Sequence, residues 1–202
     1  KRKLNTLFVN KDEYTSKLYI WNSRHFKEIS WYSLSRLLSE HVDKIYPYTP
    51  IIHNELINKS KPSPSANIGV IKFLQALNDN QYQKGLAIEG TGPEKSIYLN
   101  LLEKTGLHRV ENGHPRITNP NKDENLEFLW KKWDDLIINC KNNRLGLESL
   151  HTLAMSPPFG LKAGLVRILS IIKIFEKLNQ VSLYKIDEIS GKFEFIEEIY
   201  ED

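Results

Sequence analysis

One cysteine, Cys140, is all the thiol in this 202-residue chain. No internal disulfide can form, and structural zinc sites built on two or more thiolates are excluded. The same scarcity fits a reducing, cytoplasmic setting. Long apolar runs are missing as well: no window approaches the roughly 18 consecutive apolar residues of a membrane span, so no membrane partner is expected. Lys1-Arg2-Lys3 is followed by an apolar stretch too short for a secretory signal. The chain opens on Lys1 rather than methionine and reads as a segment of a longer protein. Fixed-period repeats and low-complexity tracts are also lacking.

Catalytic signatures are equally scarce. No serine sits in a Gly-x-Ser-x-Gly elbow. Six histidines (His25, His41, His53, His108, His114 and His151) are scattered without a close metal-binding spacing. Cys140 ends an apolar helical stripe and reads as a small buried residue. The nearest approach to a phosphate loop is Glu89-Gly90-Thr91-Gly92-Pro93-Glu94-Lys95-Ser96. There Glu94 occupies the place where such a loop needs glycine, and its charge repels phosphate. Pro93 further removes a backbone donor from the anion nest. An ordinary turn into a helix, with Pro93 at its first position, explains the segment better. The expectation is a non-catalytic segment with no catalytic, cofactor-binding or metal-binding residues.

What is present is ordinary globular material, 40% hydrophobic and 26% charged, in a mainly α (α+β) pattern. Leu18-Tyr19-Ile20-Trp21 reads as a strand. Ser30 reads as the N-cap of a helix with Leu34, Leu37, Leu38, His41, Val42 and Ile45 on one side. Thr49-Pro50 reads as N-cap and N1 of a short helix through Asn58. After the polar break 59–65, a third helix presents Ile68, Ile71, Leu74, Ala76 and Leu77. Leu86-Ala87-Ile88 is a candidate buried strand, and Pro93 opens a helix striped by Ile97, Tyr98, Leu101 and Leu102, capped by Gly106. Gly113, Pro115 and Pro120 make 108–123 a loop.

The last third reads as a long helix with Leu126, Leu129, Trp130, Trp133, Leu136 and Ile137 inward, then helices over Leu145–Ala154 and Leu161–Leu178, then strands Val181–Tyr184 and Phe193–Ile196. Helix, helix, helix and β-hairpin is the outline of a winged helix. The predicted organisation is therefore a helical, bundle-like subdomain with short strands over 1–110, a linker loop over 111–123, and a winged-helix-like subdomain over 124–202.

Net charge is +3, but its distribution is uneven. Residues 1–61 carry 11 Lys/Arg against 6 Asp/Glu, and residues 124–202 carry 10 against 13. A nucleic-acid footprint would favour the first third, where Lys17, Arg24, Lys27 and Arg36 interleave with Tyr19, Trp21, Phe26, Trp31 and Tyr32. Aromatics in such a strand-plus-helix edge serve a core more often. On the helix that fold analogy nominates for DNA, Lys162, Ser170, Lys173 and Lys177 share a narrow basic face, and Arg167 is a further cation. The remainder of that helix is apolar, as befits a core element. It lacks the Asn, Gln and Arg pattern that reads base edges, and the hairpin turn carries Asp187 and Glu188, a poor match for phosphate.

Three stretches carry a resemblance when taken together: Tyr46 through Asn58; Leu86 through Glu94 with Thr105-Gly106-Leu107-His108-Arg109; and Pro157 through Gly164 with Val181-Ser182-Leu183-Tyr184. They resemble a region of large bacterial P-loop ATPases of BREX-type phage defence (BrxC/PglY-like), over roughly residues 15–185. The resemblance implies a region outside the nucleotide-binding core, which assists DNA engagement or assembly with other defence subunits or domains of the parent chain. It carries over no catalytic residue. Asn54, Glu55, His108, Arg109 and Lys162 are the polar members of the matched phrases and are candidates for a functional surface, with structural capping as the competing role. The rival expectation is a pure protein–protein interaction module with no affinity for nucleic acid.

Overall fold

The computed structural model describes residues 18–21, 24–27, 31–59, 63–142, 144–187 and 189–196, with side chains described from residue 32 onward except at 141 and 142. The chain divides into two compact units, Lys1–Pro47 and Tyr48–Asp202. In the first, strand β1 (Leu18–Trp21) pairs antiparallel with β2 (Arg24–Lys27), Tyr19 facing Phe26 across the ladder. Helix α1 (Trp31–Ile45) follows; its expected cap, Ser30, lies outside the described residues. Leu38, Val42 and Ile45 of its apolar stripe are exposed, and so is Tyr32, so Tyr32 is no core aromatic.

The second unit is mainly helical. Helix α2 is shorter than expected, spanning Glu55–Asn58, because Asn54 and not Thr49 caps it: the Asn54 side chain accepts from Leu56 N–H at 3.0 Å. The Thr49 hydroxyl instead donates to the Phe159 carbonyl. Helix α3 (Pro64–Asn80) starts on Ser63, whose hydroxyl accepts from Ala66 N–H. It buries Ala66, Gly69, Phe73, Leu74 and Leu77 and leaves Ile68 and Ile71 exposed, a rotation of the predicted face. Gly69 sets that rotation: a Cβ there would stand 2.5 Å from Pro93 Cβ, so only glycine lets α3 lie against the start of the next helix. That helix, α4 (Pro93–Tyr98), continues as a π-helical turn through Leu99–Glu103 and ends at Gly106 with φ +78°.

Two expectations between 84 and 123 fail locally. Leu86-Ala87-Ile88 is not a strand; Gly85, Leu86 and Ala87 form a left-handed turn with φ of 67°, 55° and 51°. The loop expected over 108–123 contains a hairpin, β3 (His108–Glu111) paired with β4 (His114–Ile117). Its turn is Asn112-Gly113, both at positive φ, as the tight two-residue hairpin requires.

Helix α5 (Glu124–Ile138), capped by Asp123, then α6 (Leu147–Met155), α7 (Ala163–Lys177) and the hairpin β5 (Tyr184–Ile186) with β6 (Phe193–Phe195) reproduce the expected helix, helix, helix, hairpin order. One hydrophobic core joins Phe73, Leu77, Ile97, Leu101, Trp130, Trp133, Leu150 and the α7 residues Leu165 to Phe175. Burying each large apolar side chain contributes about 1.5–3 kcal/mol, and α7 alone buries six of them, with Ser170 and Lys173 besides. It is the central post of this unit rather than a helix standing free at its surface.

Candidate functional site

Of the basic face predicted on α7, Ser170 and Lys173 are turned inward, Lys177 is half-buried, and Lys162 is exposed at the N-cap. Lys173 is fully buried, its Nζ lying 2.8 Å from Asp134 Oδ1 and 2.7 Å from Glu176 Oε2. Lys177 completes a square, 3.0 Å from each carboxylate. Trp130 Nε1 donates to Glu176 at 2.8 Å, and the Lys173 ammonium stands 5.4 Å from the Trp130 ring centre. Two cations and two anions balance, as buried charges must. Burial alone pushes the Asp134 carboxyl up, but the hydrogen bonds from Lys173 and Lys177 more than reverse this and hold it below the ordinary range. For Lys177 burial acts downward, and the bonds to Asp134 and Glu176 overcome it, leaving its ammonium above the ordinary value. Ser170 is buried too, donating to Arg167 O and meeting His151 Nε2 at 3.1 Å. Lys173 and Ser170 therefore belong to no surface. Sequence reasoning missed this because Asp134, the neutralising partner, is 39 residues upstream.

His108, Arg109, Asn54 and Lys162 are fastened to main-chain carbonyls of the second unit. His108 is buried, with Nδ1 3.2 Å from the Tyr98 hydroxyl and Nε2 3.0 Å from the Gln81 carbonyl. Burial lowers its pKa, against the opposing influences of the Gln81 bond and Glu103. Burial chiefly, with Glu103, raises that of Tyr98. Arg109 donates to the carbonyls of Gly106 and Asn119 and pairs with Glu111, locking the hairpin to the end of α4. Besides capping α2, Asn54 donates to Ser96 O. Glu55 pairs with Lys59 at 3.6 Å, and the Lys162 ammonium donates to Asn58 O at 3.0 Å. Lys95, in the phosphate-loop lookalike, donates to Ile88 O at 2.8 Å and lies over the Tyr98 ring, with Gly92 as N-cap and Pro93 at N1.

Arg167 is exposed. Arg36 is exposed and pairs with Glu40 at 3.6 Å on α1. Arg24 and Lys27 end β2, opposite Trp21 and Leu18, but their side chains lie outside the described residues, as does Lys17. Among the described residues of the second unit, the nominated cations Lys162, Arg109 and the Lys173–Lys177 pair are held by different partners and, with the exposed Arg167, form no single basic patch.

Two apolar surfaces went unnoticed in the sequence. One is an open groove of about 630 Å³ between α5, α6 and the corner 156–160, floored by Phe128, Leu136, Leu153 and Phe159 and edged by Lys132 and Glu148. The other is the face of the β5–β6 hairpin. Tyr184 opposite Phe195 and Ile186 opposite Phe193 all point to one side, and all four are exposed. Arg144 lies across that face, its guanidinium 3.8 Å from the Phe193 ring centre and 5.3 Å from that of Tyr184. Period-two alternation of apolar residues in 184–186 and 193–195 is the signal that could have found it.

Among the described residues, no three His, Cys, Asp or Glu side chains come together as metal ligands, and no helix is long and apolar enough to cross a membrane. Comparison with protein-family models, with curated proteins and with solved structures found no match to this chain.

Proposed function

We propose that this chain is a non-catalytic docking module that engages protein rather than nucleic acid, within a larger assembly such as the defence ATPases that its three phrases resemble. One observation carries the reading: on the helix that fold analogy nominates for DNA, Lys173 is buried and Lys177 is tied to two carboxylates, while the hairpin presents the exposed apolar side chains of Tyr184, Ile186, Phe193 and Phe195. Lys162, Lys173, Lys177, His108 and Arg109 all have partners inside the fold. Affinity for DNA depends on free cations that displace condensed counterions. An exposed apolar patch is instead the mark of a protein contact. Fluorescence anisotropy with labelled duplex and single-stranded oligonucleotides tests this directly. The expected result is no binding at low ionic strength; micromolar binding with a steep salt dependence would overturn the proposal.

A further inference from the structure

Asn112-Gly113 is the single Asn-Gly pair of the sequence, and the fold places it at the tip of the β3–β4 hairpin. Both residues are exposed, at φ 52° and 85°. A Cβ added at Gly113 would meet nothing within 4 Å. Glu111 and His114, the facing pair on either side, close the ladder. In a two-residue hairpin that pair carries the last bonds between the strands, and the groups of the turn are left to water. Among the described residues no hydrogen bond engages the Asn112 side-chain amide or the Gly113 N–H. Asn54, Asn58, Asn100 and Asn125 are held by contrast, donating to the carbonyls of Ser96, Ile52, Ser96 and Thr49 respectively. Each of these four is followed by a residue with a long side chain, Glu55, Lys59, Leu101 or Leu126.

A free asparagine amide beside glycine is chemically labile. No side chain at 113 shields the Gly113 nitrogen, which can attack the Asn112 side-chain carbonyl carbon. The new N–Cγ bond closes a five-membered succinimide. The Cγ–Nδ2 bond breaks, and the nitrogen leaves as ammonia with the proton shed by Gly113. Water then opens the ring at one of its two carbonyls. Breaking the N–Cγ bond gives aspartate; breaking the bond to the main-chain carbonyl leaves the chain running through Cγ, as isoaspartate. Overall, water is consumed and ammonia released, with no change of oxidation state. The surroundings suit the new charge. Arg109 and Arg116 face each other across the hairpin and share the one carboxylate of Glu111, so a further anion at 112 meets a local excess of cation. The isoaspartyl product also lengthens the turn by one carbon, which the tight two-residue loop does not accommodate.

We propose that Asn112 is a modification site, at which the folded chain converts spontaneously, with water as its only co-reactant, to aspartate and isoaspartate, loosening the tip of the β3–β4 hairpin while the helical core stays intact. The site is independent of the docking reading above.

The test is to age the full chain in mildly alkaline buffer and map its peptides by mass spectrometry. Acid should appear at Asn112 ahead of every other asparagine, as two isomers. The isoaspartyl isomer should accept a labelled methyl group from S-adenosylmethionine through a protein-isoaspartyl methyltransferase. Amides of 109–116 should lose protection from hydrogen exchange in the aged fraction, while those of α5 and α7 keep it. Asn112→Gln should abolish the new acid, because its longer side chain disfavours ring closure; circular dichroism checks that this variant folds. Parallel ageing in urea separates fold from sequence. Conversion at 112 in urea but not in the folded chain would overturn the inference, since the hairpin would then shield the turn. So would acid arising first at another asparagine, or unchanged exchange across 109–116 in the aged protein.

Discussion

Replacing Lys173 by methionine probes the charge square at the centre of the second unit. Methionine nearly matches the volume of the lysine stem, so little cavity is created. What changes is the balance: Asp134 and Glu176 remain, with Lys177 as their only cation in the square. Removing one member of a buried pair costs about 3–5 kcal/mol. The Asp134 side chain is 24% exposed, so water screens part of the loss, and about 2–4 kcal/mol is expected. Against a typical domain stability of about 5–15 kcal/mol that is a large fraction. Urea denaturation followed by tryptophan fluorescence measures it, since Trp130 touches the square. Adding Glu176→Gln to Lys173→Met removes the surplus anion yet keeps an acceptor for Trp130 Nε1. The double variant should regain at least about 1 kcal/mol over the single one. A Lys173→Met protein within about 0.5 kcal/mol of the parent, or a double variant no better than the single, would refute the description of these four residues as one balanced unit.

Other tests address separate parts of the fold. Because the folded state lowers the His108 pKa, its contribution to stability is present above the unfolded value near 6.5 and is lost as pH falls through the lower folded value. Denaturation midpoints should drop between roughly pH 7.5 and pH 5, and His108→Gln should flatten that drop. Gly69→Ala should destabilise by about 1–3 kcal/mol through overpacking against Pro93, read as a lower thermal midpoint. Ala87→Gly should do the opposite, raising stability by about 0.5–1 kcal/mol, since Ala87 is exposed and held at φ 51°. Asn54→Ala should cost about 1–2 kcal/mol by uncapping α2, measurable in the same urea experiment.

Much of this architecture is written in local periodicity, and the exceptions have identifiable causes. Helices α5 and α7 are legible because Leu126, Leu129, Trp130 and Trp133, or Leu165, Ile168, Leu169 and Ile172, recur at helical spacing and are all buried. Helix α3 misleads because Ile68 and Ile71 outrank Ala66 and Gly69 in hydrophobicity, whereas close approach to Pro93 selects the small residues. The turn at 85–87 defies prediction, since Leu86 and Ala87 adopt a backbone that L-residues avoid; burial of the Leu86 side chain offsets it. The β3–β4 hairpin was legible after all. Asn112-Gly113 is a strong hairpin signal, and Pro115 obscured it by suggesting a break. For the candidate site, the second hairpin strand was legible in Phe193–Ile196, whereas the first begins at Tyr184, where the expected strand Val181–Tyr184 ends; and nothing local distinguishes a lysine bound for the interior from one bound for water. Lys173 differs from Lys162 only by what tertiary folding brings to it.

The segment 48–58 is clasped by residues made some hundred positions later. Tyr48 N–H donates to Pro158 O, Thr49 to Phe159 O, and Lys162 to Asn58 O. On the ribosome, at about 5–20 residues per second, the early strand of this clasp must wait on the order of 5–20 s before its counterpart emerges. Until then Ile52 and Ile57, both buried in the finished fold, have no partner from 158–162 to shelter them. The unit is therefore completed by its last helices, and a synthesis halted before residue 158 would leave the opening segment of the unit unclasped.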